Sequence, residues 1–111
     1  MASRSDPDHP SIRVETIDEG QMVRVVLIGE ADIANLDTLQ AALAGVEPDG
    51  ARAVQLHVSE LAFVDIAALR ALAAFAAQMK STGRNVATFG ATPVVEKVAR
   101  ILDVDDTLGL S

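Results

Sequence analysis

The 111-residue sequence predicts an α/β fold with a four-stranded, mixed but mostly parallel sheet and three main helices. Short segments rich in Val and Ile alternate along the chain with segments of helical periodicity, which implies crossover connections between parallel strands. The first two strand-like segments are separated only by a short polar turn, so one strand is antiparallel. Hydrophobic residues make up 50% of the chain and cysteine is absent, so the core forms without disulfides.

The first two strands form a predicted hairpin. Apolar and polar side chains alternate over residues 12–17, the period-2 pattern of a strand with one solvated face. After a polar turn at residues 18–21, the run 22–28 is almost entirely apolar, as expected of a strand covered on both faces. Residues 1–11 are polar and contain two prolines, which predicts a flexible N-terminal tail before a single domain over residues 12–111.

A short amphipathic helix follows the hairpin. Its apolar residues recur at helical spacing, at Leu36, Leu39, Leu43 and Val46. Asn35 or Asp37 is placed to cap its first turn. The segments 53–58 and 85–89 have the alternation and composition of the third and fourth strands.

The segment 66–80 is the strongest helix in the chain, because it is rich in Ala, lacks Gly and Pro, and is preceded by Asp65 as N-cap. A helical wheel directs one set of side chains toward the core: Leu69, Leu72, Phe75, Ala76 and Met79. Ile66 lies outside that arc, beside Arg70 on the first turn. We therefore expect Ile66 to be open to a partner.

Thr92 and Pro93 open a final helix. Its predicted buried side consists of Val94, Val95, Val98, Ile101 and Leu102. The remaining residues, 105–111, are expected to form a loose turn packed by Leu108.

Composition argues against several classes of function. The formal net charge of −7 repels nucleic acid and anionic lipid headgroups alike. No segment has the length of uninterrupted apolar sequence that membrane insertion requires, and the N-terminal residues lack the apolar core of a signal peptide. The chain is therefore expected to be cytoplasmic.

Candidate catalytic and ligand-binding residues are sparse. His57, Ser59 and Asp65 are the one cluster that could support nucleophilic catalysis, but no strained nucleophile turn or oxyanion site accompanies them. The other histidine, His9, lies in the predicted tail, so we expect no metal. The single glycine before the last helix, Gly90, is weak evidence for phosphate binding, so we also expect no cofactor and no enzymatic activity.

Two motifs in a fixed order resemble the STAS domain of bacterial anti-sigma-factor antagonists. The first is Gly-Glu-Ala-Asp at positions 29–32, and the second is Phe-Val-Asp at positions 63–65, which follows Ser59 and Leu61 directly before the long helix. The similarity spans residues 12–106 and implies the STAS, antagonist-like fold. It further implies a regulator of transcription by partner switching that binds an anti-sigma factor, which in this family is a serine kinase of the histidine-kinase-like ATPase type.

The chain departs from that family pattern at the position of the switch. Relatives carry a phosphorylatable Ser or Thr after the motif Asp, then a small residue and Gly, whereas this sequence has Ile66, Ala67 and Ala68. Isoleucine has no hydroxyl, so phosphorylation is not expected at this position. The resemblance then implies an antagonist that stays in its binding-competent state.

The expected partner surface lies at the carboxyl ends of adjacent parallel strands, where such sheets place ligands and partners. Its residues are Glu30, Asp32, Asn35, Asp65, Ile66, Ala67, Ala68 and Arg70.

A soluble STAS accessory subunit that regulates a membrane transporter ATPase is the alternative function. Two further alternatives are a small-ligand sensor at the Gly90 turn and a homodimer formed through Ile66. Two of the three Phe residues are expected in the core, which leaves a flat ligand few stacking partners.

Overall fold

The computed structural model describes residues 11–110. Its elements, in chain order, are β1 (Ile12–Asp18), β2 (Met22–Ala31), a 3-10 helix (Ile33–Asn35), α1 (Leu36–Ala44), β3 (Ala53–Val64), α2 (Ile66–Ser81), β4 (Asn85–Phe89), α3 (Pro93–Ile101) and α4 (Asp105–Leu108). The predicted α/β class and the mixed four-stranded sheet are confirmed.

The strands lie in the order β1-β2-β3-β4, with β1 antiparallel to β2 and the other neighbours parallel. Because the parallel strands follow chain order, right-handed crossovers place α1 and α2 on the same face of the sheet, where they contact each other. The core lies between the sheet and these helices, and its largest fully buried side chains include Leu27, Leu39 and Leu56.

The expectation that β2 is covered on both faces is wrong. Val23, Val25 and Leu27 are buried, whereas the alternating residues Arg24 and Val26 are half-buried. Both crossover helices pack on the first face, so the other face carries no helix in the part of the chain that the structure describes. The long apolar run therefore reflects β propensity as well as burial.

The predicted core face of α2 is confirmed, since Leu69, Leu72, Phe75, Ala76 and Met79 are all buried.

The boundaries of two strands differ from the predicted ones. β2 and β3 extend beyond their predicted ends and pair with each other there, with Gly29 opposite Leu61 and Ala31 opposite Val64. Register shifts interrupt this pairing, so Ser59 and Glu60 are both exposed and the period-2 pattern is lost.

The predicted buried side of α3 is wrong for two residues, because Val94 and Ile101 are each 71% exposed. α3 has nine residues, and only a narrow face of the helix packs against the core, so its remaining apolar residues face outward. Residues 105–108 form α4 rather than a loose turn, and Leu108 is buried as expected.

The prediction that two of the three Phe residues lie in the core is also wrong, since Phe75 is buried while Phe63 and Phe89 are exposed.

The predicted tail lies outside the described residues except for Ser11. The carbonyl oxygen of Ser11 accepts a hydrogen bond from the Glu30 N–H at 2.8 Å, so this residue is held against β2.

Replacing Gly90 with alanine is expected to destabilise the fold by about 3 kcal/mol. Gly90 has a φ of +88°, and an added Cβ would lie 2.6 Å from the Cβ of Ser59. Gly83 has the same φ of +88° with open space around it, so Gly83→Ala isolates the backbone cost of about 1 to 2 kcal/mol. Urea unfolding measures both, and equal losses would contradict the contact with Ser59.

Candidate interaction surface

The two sequence motifs meet at one end of the sheet. β2 ends at Ala31 and β3 ends at Val64, and these residues are register partners. The Asp65 N–H donates a hydrogen bond to the Ala31 carbonyl oxygen at 3.0 Å. The 3-10 helix and the first turn of α2 therefore begin side by side.

The Asp65 carboxylate joins these two segments. One oxygen, Oδ1, accepts a hydrogen bond from the Ala68 N–H at 2.9 Å and caps α2, as predicted. The other, Oδ2, accepts from the Ile33 N–H at 2.9 Å. A single side chain thus fixes the position of the 3-10 helix relative to α2.

The turn before the 3-10 helix is closed by reciprocal side-chain capping. Asp32 Oδ1 accepts from the Ala34 N–H at 2.8 Å, and Asn35 Oδ1 accepts from the Asp32 N–H at 3.0 Å. Asn35 Nδ2 also donates to the Glu30 carbonyl oxygen at 2.7 Å. Asn35 makes no side-chain cap of α1, so that predicted role is wrong. Asn35 is also buried, and its contact with a partner stays a prediction.

An apolar groove lies in front of this scaffold, with a volume of about 400 Å³. Its exposed wall residues are Ile33, Phe63, Ile66 and Val94, and we use the term apolar groove for the space that they enclose. Ile66 is 53% exposed, as predicted, and Ile33 is 72% exposed. Contiguous exposed apolar side chains on a small domain are typical of a protein-interaction site.

Three of these four residues, Ile33, Phe63 and Val94, were not predicted from the sequence to line this surface. Ile33 directly follows the first motif and Phe63 belongs to the second, so their positions were available as a signal. Val94 was assigned to the core because helical periodicity alone does not show how far the sheet extends beneath a helix.

The other predicted surface residues are placed unevenly. Glu30 and Arg70 are exposed, and Asp32 and Ala67 are partly exposed near the groove. Ala68 is fully buried in this structure, and its contact with a partner stays a prediction. Its position in α2 is three residues after the N-cap, where the helix turns its side chain toward the core.

The candidate nucleophilic cluster is not assembled by hydrogen bonds within residues 11–110. His57 shares a hydrogen bond with Gln55, from Nε2 to Oε1 at 2.9 Å, and its ring stacks on Phe89 with the ring centroids 5.2 Å apart. Burial lowers the pKa of the His57 imidazole, and the charge of Arg24 lowers it further while Glu19 acts against them. Asp65 is engaged in capping instead.

Other kinds of site have little support in the described part of the chain. No group of three or more His or acidic side chains could hold a metal ion there. The cavity beside Gly90 has a volume of about 30 Å³, close to the size of one water molecule. No helix among these residues is long and apolar enough to cross a membrane.

The fold and the paired motifs define the chain as an α/β domain of the STAS class. A family model described as "Mlab, STAS domain" matches residues 15–110, and the chain belongs to this family. No curated protein matches the sequence.

Solved structures of anti-sigma factor antagonists share the fold. One from Mycobacterium paratuberculosis is 24% identical with a TM-score of 0.75, covering 96% of this chain and 89% of that one. The Bacillus cell fate determinant SpoIIAA in its phosphorylated form is 14% identical with a TM-score of 0.62, covering 91% of each chain. A STAS domain from Rhodobacter sphaeroides, an antisigma-factor antagonist, is 19% identical with a TM-score of 0.60, covering 77% and 90%.

Proposed function

We propose that this chain is a non-catalytic, cytoplasmic interaction module that binds an anti-sigma factor through the apolar groove. The anti-sigma factor would be a serine kinase of the histidine-kinase-like ATPase type. Similarity in fold to solved structures of anti-sigma factor antagonists supports this class of partner. The proposal adds that binding here does not depend on phosphorylation at the start of α2.

The position of Ile66 carries the proposal. Ile66 is the first residue of α2, and its half-exposed side chain lines the apolar groove beside Ile33 and Phe63. Covering such a side chain contributes about 1 to 2 kcal/mol to binding. The capping network around Asp65 and Asp32 holds the surface in place before a partner arrives, which lowers the entropy cost of association.

The absence of a hydroxyl at the entrance of α2 removes the usual means of release. A phosphate there would add about two negative charges beside Asp65. Ile66, Ala67 and Ala68 offer no oxygen that could accept a phosphoryl group. We therefore propose that the amount of this chain, rather than its modification at this point, sets how much anti-sigma factor is bound.

A second proposed function is that of an accessory subunit of a membrane transporter ATPase. The description of the matching family model, "Mlab, STAS domain", names no anti-sigma factor, so it does not favour the antagonists over this function. Both functions use a protein partner, so the identity of that partner decides between them.

Co-purification from the native cell tests the proposal, with bound proteins quantified by mass spectrometry. We expect a kinase-type anti-sigma factor in the eluate, whereas an ATPase without such a kinase would favour the accessory-subunit function.

Val94→Glu is expected to reduce capture of the partner about tenfold, because it places a charge in the groove. Ile101→Glu is the matched control, since Ile101 has the same 71% exposure on α3 but lies outside the groove. Equal capture by the two variants would contradict the proposed surface.

A further inference from the structure

The strand β3 is longer than its neighbour β4. β4 pairs with Ala53–His57 only, and its last register pair joins His57 to Phe89. Residues 59–64 of β3 continue along β2 but have no backbone partner on the β4 side within residues 11–110. Alternate residues of a strand direct their N–H and C=O groups to one side, so this segment presents unpaired donors and acceptors.

The early end of β4 is encoded locally. Gly90 follows Phe89 with a φ of +88°, and its Cα packs so closely on Ser59 that a Cβ would lie 2.7 Å from the Ser59 nitrogen. The chain therefore turns away from β3 at this point and begins α3 at Pro93. The open edge is a consequence of this turn.

The other sheet edges are protected in ways that this one is not. The edge strand β1 carries an ion pair between Arg13 and Glu15 at 3.1 Å, and charged side chains discourage strand pairing. On the far side of β4, the Thr88 N–H donates to the Gly109 carbonyl oxygen at 3.1 Å. The end of β3 lies next to several exposed apolar side chains, among them Phe63 and Val94, whereas β1 carries Ile17 alone among the exposed large hydrophobic residues described.

The open edge and the apolar groove adjoin each other. Phe63 and Val64 belong to the unpaired segment and also line the groove, and Val94 of α3 forms the opposite wall. Glu60 lies on the edge and Asp65 at its end, in a chain of net charge −7. A ligand that satisfies both features has an extended backbone, apolar side chains for the groove and positive charge.

We propose that residues 59–64 of β3 bind an extended, basic and apolar segment of the partner protein as an added strand. The inference rests on the proposed function, because it names how the partner contacts the same surface. Main-chain hydrogen bonds would supply affinity, and the apolar groove would select the alternate side chains of the added strand.

A synthetic probe tests this directly by fluorescence polarisation. The probe is a fluorescein-labelled peptide of alternating Lys and Val, and its control is the same peptide N-methylated at every second residue along one edge. The two peptides have the same charge and side chains, but the control lacks the N–H donors of one edge. We expect the control to bind about tenfold more weakly. Equal binding would show attraction by charge alone and would overturn the proposal, as would the absence of binding by either peptide.

Ala62 provides the matched change in the protein, because it has no register partner in β2. Ala62→Pro removes its N–H and is expected to weaken binding of the unmethylated probe about tenfold, whereas Ala62→Ser keeps the N–H and should bind normally. Hydrogen exchange provides a second measurement in the unaltered protein, where the probe should slow exchange of amides in residues 59–64. Exchange that is unchanged by the bound probe would overturn the proposal even if Ala62→Pro does not fold.

The two proposals fail separately. If the peptides do not distinguish the edge but capture of the natural partner still depends on Val94, the surface is correct and its occupant is not a strand. If the probe binds as an added strand but no anti-sigma factor is captured, the edge is real and the proposed function is wrong.

Discussion

Replacing Asp65 with alanine is expected to lower the free energy of unfolding by about 2 kcal/mol. The substitution removes the N-cap of α2, worth about 1 kcal/mol, because the Ala68 N–H loses its acceptor. It also removes the charged acceptor of the Ile33 N–H. Ile33 is exposed, so water partly replaces that second hydrogen bond. The total loss in the free energy of unfolding therefore stays at about 2 kcal/mol. Urea unfolding measures the loss.

Asp65→Asn separates the two hydrogen bonds, and Asp37→Ala is the control. Asp65→Asn keeps one acceptor oxygen and a good N-cap residue, so about half of the loss is expected. Asp37→Ala removes a comparable carboxylate from the first turn of α1, where it is exposed, and should cost less than about 0.5 kcal/mol. An Asp65→Ala variant as stable as Asp37→Ala would contradict the bridging role of Asp65.

Replacing Asp65 with alanine should also weaken partner binding, because the Asp65 carboxylate positions other residues of the surface. Ile33 and Ile66 stand on different segments, and the Asp65 carboxylate is the side chain that joins them. Without it, the two walls of the groove must be ordered on binding, which reduces affinity. Capture of the partner should therefore fall for Asp65→Ala more than for Asp65→Asn.

Local patterns predicted the fold well where a segment is both periodic and bounded. The core face of α2 is an example, because a helix of sixteen residues repeats its apolar face over several turns, so a single atypical residue does not change the predicted face. β4 was predicted with its observed bounds because turn residues flank it on both sides. The order of alternating strands and helices then determined a mostly parallel sheet through the handedness of the crossovers.

The apolar groove was predicted only in part, because its walls depend on distant segments. Ile66 is exposed for a local reason, its angle on the α2 wheel, and this was predictable. β4 ends before β3 does: Phe63 is exposed in the part of β3 beyond that end, and Val94 is exposed on α3, which follows the end of β4. That difference arises from the Gly90 turn and from register shifts, neither of which changes the hydrophobic pattern.

Ile66→Asp is expected to reduce affinity for the partner about 100-fold. The substitution removes an apolar contact worth about 1 to 2 kcal/mol and buries an unpaired carboxylate under the partner, close to Asp65. Together these effects approach 3 kcal/mol, which corresponds to a factor of about 100 in the dissociation constant. Titration of the purified partner, with affinity measured by calorimetry, provides the test.

Folding is not expected to confuse this result, and that makes the substitution informative. Position 66 is the first residue of α2 and half-exposed, and an acidic side chain in the first turn of a helix interacts favourably with the helix dipole. The variant should therefore unfold at the same urea concentration as the wild type. Ile66→Val keeps the apolar contact and should bind within about threefold of the wild type. If Ile66→Asp binds as tightly as Ile66→Val, the partner does not cover the entrance of α2 and the proposed surface is wrong.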